Sequence, residues 1–144
     1  MSSTFFYTFR TNKFVTEIER VLGQKVYVID RPAKDFAKLL SAIDESGADL
    51  VVGIGIVRAK SRWERFCYNQ IGKNRISDDA PDRLSLENPS SKTPAFAGMT
   101  IDGKGMTFGF CNYVAFRIAS ETKLRNGFLH LRKEDINKLQ AVAV

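Results

Sequence analysis

Apolar residues recur along this chain with two alternating periods. Thr4-Phe5-Phe6-Tyr7-Thr8-Phe9 is aromatic and β-prone and predicts a first strand. Phe14, Ile18, Val21 and Leu22 then recur at helical spacing, with Thr11 or Asn12 able to cap that helix and Gly23 to stop it. Residues 25–29, Lys25 to Ile29, read as a second strand. Asp30-Arg31-Pro32 opens another helix whose apolar face is Phe36, Leu39, Leu40 and Ile43, closed by Gly47. Residues 49–56 are apolar on both faces, as the middle of a parallel sheet requires. The order is βαβαβ.

Beyond that strand the pattern loosens before it returns. Residues 63–71 predict a further strand, and residues 72–100, which hold every proline but Pro32, predict a loop. A loop ending near Gly105 or Gly109 then gives way to helical recurrence over Tyr113-Val114-Ala115-Phe116-Arg117-Ile118-Ala119. Residues 127–131 predict a short strand, and residues 135–139 part of a last helix. The alternation defines the α/β class: a three-layer α/β/α sandwich with a mostly parallel sheet and reactive groups at strand ends.

Composition narrows the setting. At 144 residues and 44% hydrophobic, the chain suits one domain with a single core, residues 1–144, carrying an insert-like loop around residues 85–100. No apolar run is long enough to span a membrane, and the first residues lack the pattern of a secretory signal. Cys67 and Cys111, with no CxxC spacing and no histidine cluster, argue against a zinc site and against a disulfide scaffold. A reducing cytoplasm is the expected location, and no metal or cofactor is expected.

Two residues carry candidate chemistry. Cys111, in Gly109-Phe110-Cys111-Asn112-Tyr113, falls at the start of a predicted helix, where unpaired backbone N–H groups and the helix dipole favour a thiolate and can receive an oxyanion. The plainer reading is a small buried residue. His130 is the only histidine, so it is the base if any histidine is; the plainer reading is a core histidine satisfied by one hydrogen bond.

Order along the chain favours the chemical reading. Asp49-Leu50-Val51-Val52-Gly53-Ile54-Gly55, Glu64-Arg65-Phe66-Cys67-Tyr68-Asn69, Asn74-Arg75-Ile76-Ser77-Asp78-Asp79, Cys111-Asn112 and Gly127-Phe128-Leu129-His130 together resemble the pyroglutamyl peptidase I (pyrrolidone-carboxylate peptidase) family over roughly residues 25–135. The resemblance implies a cysteine exopeptidase acting on peptides with an N-terminal pyroglutamate. It puts the catalytic groups at Glu64, Cys111 and His130, with Glu64 orienting the histidine. It also implies that Arg75 supports the carbonyl or oxyanion side. The family's glycine-rich, phenylalanine-bearing loop after the first strand has no equivalent in Tyr7-Thr8-Phe9-Arg10-Thr11-Asn12, which leaves Phe9 or Phe14 to pack on the substrate ring. Ser91 to Thr100 resembles peptides encoded when bacterial palindromic repeats lie in frame, which implies an exposed, weakly packed insert over residues 85–100.

The formal charge of +6 adds an alternative. Arg58, Lys60, Arg62, Arg65, Lys73 and Arg75 interleave with Trp63 and Tyr68, a mixture that can follow a phosphate backbone and stack bases. No nucleic-acid-binding motif accompanies it, and local pairing with Glu64 on a solvated strand end is the preferred reading. A relative that keeps the fold without the activity, serving as a structural or binding protein, is the other alternative. A homo-oligomer stays open.

Overall fold

The computed structural model describes residues 3–87, 99–102 and 105–142. The aromatic segment forms β1 (Thr4–Phe9), whose side chains alternate between faces: Phe5, Tyr7 and Phe9 join one core and Phe6 the other. In α1 (Val15–Leu22) the two periodic residues Ile18 and Leu22 are buried. Asn12 Oδ1 accepts the Phe14 amide at 2.8 Å ahead of that helix, and Gly23 ends it at φ 71°, a left-handed conformation natural to glycine. Next come β2 (Tyr27–Ile29), α2 (Phe36–Ser46) and β3 (Leu50–Ile56). Helix α2 starts after Asp35 rather than at Asp30, because the Asp35 carboxylate accepts the Arg31 amide at 2.9 Å and holds residues 31–35 in a turn.

The middle of the chain departs from expectation. Residues 63–71 are not one strand: β4 (Arg62–Glu64) and β5 (Phe66–Tyr68) flank the exposed Arg65 and belong to different sheets. The latter pairs antiparallel with β6 (Arg83–Ser85). Of residues 85–87, Ser85 and Glu87 are exposed as expected of residues 85–100, whereas Leu86 is buried in the core and the Glu87 amide donates to the Asn126 carbonyl at 2.8 Å. Residues 88–98, with most of the repeat-like stretch, lie outside the described residues. The chain continues through β7 (Thr100–Asp102), α3 (Phe110–Glu121), β8 (Arg125–Leu131) and a 3-10 helix (Lys133–Val142).

Among the described residues the main sheet has six strands in the order β2-β1-β3-β8-β4-β7. Neighbours run parallel except β4 and β8, which are antiparallel. Strand β3 is central and its two faces feed two cores, which explains its continuous apolar run. On one face Leu39, Ile43, Val114, Phe116 and Ile118 from α2 and α3 pack with Tyr7, Val51 and Phe128. On the other, Ile18, Leu22, Ile136 and Leu139 from α1 and the 3-10 helix pack with Phe6, Val52, Ile54 and Leu129. The architecture is a three-layer α/β/α sandwich. Among the described residues no helix is long and apolar enough to cross a membrane.

Two glycines on β3 let the α2/α3 face come close. A Cβ at Gly53 would stand 2.5 Å from the rings of both Phe128 and Tyr7. Two positions on, a Cβ at Gly55 would stand 3.1 Å from His130 Cδ2 and 3.2 Å from Cys111 Sγ. That second glycine is the floor of the candidate site.

Candidate active site

His130 lies near the end of β8, opposite Gly55 in the parallel pairing with β3 and opposite Arg62 in the antiparallel pairing with β4. The alternation of β4 then turns Glu64 to the same face as His130, at a diagonal cross-strand position. The Glu64 carboxylate is wholly buried, and its Oε2 meets His130 Nδ1 at 2.8 Å. Arg62 Nε lies 3.5 Å from the same oxygen and supplies positive charge to a carboxylate removed from water. A carboxylate on Nδ1 fixes the tautomer with Nε2 free for proton transfer.

Cys111 is brought to Nε2 by the start of α3. Sγ and His130 Nε2 flank the same point over Gly55, 3.2 and 3.3 Å from where a Cβ would stand. Asn112, the next residue, explains why the helix begins there. Its buried amide accepts from the Tyr68 backbone N–H at 2.7 Å and donates to the carbonyls of Tyr68 and Gln70, each at 2.9 Å. The preceding loop is held by the Gly72 amide donating to the Phe108 carbonyl at 2.9 Å and by the Phe108 ring edge-on to Tyr68. Gly105 allows that approach: its φ is +80°, and a Cβ there would meet Tyr68 at 2.6 Å.

The sulfur does not have the character expected of a cysteine at a helix start. Burial first, and then the Glu64 charge, push the Cys111 thiol up to about 12, and its own backbone amide offsets this only in part. At neutral pH the resting group is therefore a thiol, not a thiolate. Cys67 is fully buried and pushed up to about 12 by the same desolvation. Iodoacetamide labelling of Cys111 should accordingly rise about tenfold per pH unit between pH 7 and 9, following the thiolate fraction. A rate flat across that interval would reveal a pre-formed thiolate–imidazolium pair.

The remaining sequence candidates separate. Phe9, on β1, lines a cleft of about 380 Å³ with Arg10, Thr11, Asp30, Pro32, Phe110 and Cys111. Phe14 packs instead with the core on the opposite face of the sheet. Arg75 is committed elsewhere: Nη1 reaches Asp82 Oδ1 at 2.6 Å and Nη2 the Ala80 carbonyl at 2.9 Å, both exposed. Trp63 is buried in the α1-side core, so it cannot serve as a base-stacking platform within the basic segment. Among the described residues no cluster of His, Cys, Asp or Glu has the geometry to hold a metal.

Three residues that lie inside the matched segments, but to which the sequence assigned no role, contribute to the site: Gly55 beneath the sulfur and ring, Asn112 as the anchor of α3, and Asn69. The buried Asn69 side chain donates to the carbonyls of Ser77 and Ala80 and accepts the amides of Ile76 and Ser77, which closes the loop beside the site. The spacing Gly53-x-Gly55 in an otherwise bulky strand was the available signal, since glycine inside a strand marks close approach.

No protein-family model matches the chain, and no curated protein matches it in sequence. Solved structures do match in fold. Pyrrolidone carboxyl peptidase from Thermococcus litoralis superposes with a TM-score of 0.68 at 19% identity, over 92% of this chain and 77% of that one. The enzyme from Thermus thermophilus gives 0.68 at 17% identity, over 90% and 84%. Pyroglutamyl peptidase I from Bacillus amyloliquefaciens gives 0.69 at 16% identity, over 99% and 90%. All are peptidases by name, and the mostly parallel sheet of this chain matches their α/β fold. The chain has a pyroglutamyl peptidase I-like fold.

Proposed function

We propose that the protein is a cysteine exopeptidase that removes an N-terminal pyroglutamyl residue from peptides. The observation that carries the reading is the buried Glu64–His130 contact at 2.8 Å with the Cys111 sulfur beside the other ring nitrogen, within the fold of proteins named for that activity. Because the resting sulfur is a thiol, the proton passes to His130 Nε2 as Sγ attacks the pyroglutamyl carbonyl, and the oxyanion faces the first amides of α3. The C–N bond then breaks as His130 returns the proton to the departing amine. Water, deprotonated by His130, attacks the thioester and releases pyroglutamate and the thiol. Glu64 holds the imidazole and balances its charge in both halves. The cleft bounded by Phe9 and Phe110 takes the small ring, and a reducing cytoplasm suits two free thiols.

Steady-state hydrolysis of a pyroglutamyl anilide tests this directly. The purified chain should release the amine, and the release should vanish in Cys111→Ala. Turnover that survives this substitution would eliminate the mechanism. A relative that keeps the fold without the activity is the second reading, favoured by Arg10-Thr11-Asn12 standing where the family has glycines; rapid pH-independent alkylation without any turnover is not its signature, whereas slow alkylation without turnover is.

A further inference from the structure

The cleft beside Cys111 combines two aromatic walls with one ion pair. Phe110, immediately before the sulfur, is 59% exposed, unusual for so large an apolar side chain, and Phe9 stands on the adjoining strand. Also lining the cleft, Arg10 Nε lies 3.1 Å from Asp30 Oδ1. Both residues follow strand ends, of β1 and β2, and the Arg10 amide donates to the Ile29 carbonyl at 2.9 Å, which fixes their spacing through the sheet. Their side chains are 75% and 50% exposed, so the pair itself is worth little in water and is readily shared with a ligand.

We propose that Arg10 and Asp30 are the specificity-determining residues of this cleft and that they read a cis-lactam. A five-membered lactam presents an N–H donor and a carbonyl acceptor side by side on one edge of a flat apolar ring. Asp30 accepts the N–H, Arg10 donates to the carbonyl, and the ring lies against Phe9 and Phe110. Other charge patterns match worse. A free carboxylate suits Arg10 but is repelled by Asp30; a free ammonium suits Asp30 but is repelled by Arg10. A neutral donor–acceptor pair satisfies both, through two charge-assisted hydrogen bonds. This assignment rests on the proposed pyroglutamyl specificity, and it replaces the missing glycine-rich loop with side chains of this chain's own.

Binding of the ring alone separates the two ideas. NMR titrations of the wild type with 2-pyrrolidone and with N-methyl-2-pyrrolidone, which lacks the N–H, should show a preference of about tenfold for the former, the order expected of one hydrogen bond to a charged group. Arg10→Met should weaken 2-pyrrolidone binding to a similar degree, and Asp30→Ala should abolish the preference between the two lactams. Both substitutions alter exposed side chains, and unchanged amide spectra elsewhere would verify the fold. Equal binding of the two lactams by the wild type, or a preference that persists in Asp30→Ala, overturns the assignment even if pyroglutamyl amides are hydrolysed. Selective lactam binding that depends on both residues, in a chain that hydrolyses no pyroglutamyl amide, would instead uphold the assignment and overturn the exopeptidase reading.

Discussion

His130→Ala should lower kcat for a pyroglutamyl anilide by about 10³-fold or more, with a much smaller change in KM. In the proposed mechanism one side chain serves as the base for Cys111 and as the acid for the leaving amine, so its removal affects both halves of the reaction. The loss should be larger than for an enzyme with a pre-formed thiolate, because a sulfur pushed up to about 12 has almost no ionised fraction to fall back on at neutral pH. Raising the pH should partly rescue His130→Ala for the same reason, with activity climbing about tenfold per unit up to the limit of the fold. Glu64→Gln should be milder, losing about 10²-fold, since an amide can still contact Nδ1 but supplies no charge to the imidazolium. A His130→Ala enzyme with near wild-type kcat would remove the histidine from the mechanism. Circular dichroism of each variant would separate chemical from structural loss, a needed control for a carboxylate as deeply buried as Glu64.

The two glycines of β3 should separate stability from activity. In Gly53→Ala the new methyl would lie 2.5 Å from two fully buried rings, Tyr7 and Phe128, which pack edge to face with centroids 6.2 Å apart. Neither ring can retreat without disturbing the α2/α3 core, so overpacking should cost about 2–3 kcal/mol and lower Tm by several degrees. In Gly55→Ala the methyl would meet His130 and Cys111 at 3.1–3.3 Å, a crowding relieved by shifts of a few tenths of an ångström. Stability should barely change. Catalysis should fall by about 10²-fold, because those shifts separate the sulfur from the proton acceptor. Thermal melts and kcat measured on both variants check the contrast, and it fails if Gly55→Ala retains full activity.

Much of this arrangement was legible in the sequence because local physics dictated it. The bounds of β1 agree with the aromatic run, α1 and α2 end at Gly23 and Gly47 as the stop signals require, and β3 occupies the centre that its two-faced apolarity demanded. Cys111 stands in the first turn of α3, and Glu64 and His130 are in contact. What could not be read was non-local. The break at Arg65, which sends Glu64 to one sheet and Cys67 to another, leaves no trace in periodicity because three-residue strands are too short to show any. The thiol's resting state depends on burial and on a charge brought in from another strand, so the helix-start argument alone pointed in the wrong direction. Arg75 shows the limit of motif matching: its neighbours resemble the family, yet its guanidinium is taken by Asp82.

The strand order has a consequence for how the proposed site is assembled. Strands β1 to β3 can pair as they are made, but β4, although it can meet β7 earlier, joins them only through β8, which follows it in sequence yet separates it from β3 in the sheet. Glu64 and His130, in contact in the folded chain, are 66 positions apart, and the closure of so long a loop is rewarded only when β8 docks. Refolding should therefore pass through a species with the N-terminal half ordered and an idle sulfur. Recovery of hydrolysis should lag behind recovery of helical signal, and the length of that lag times the insertion of β8.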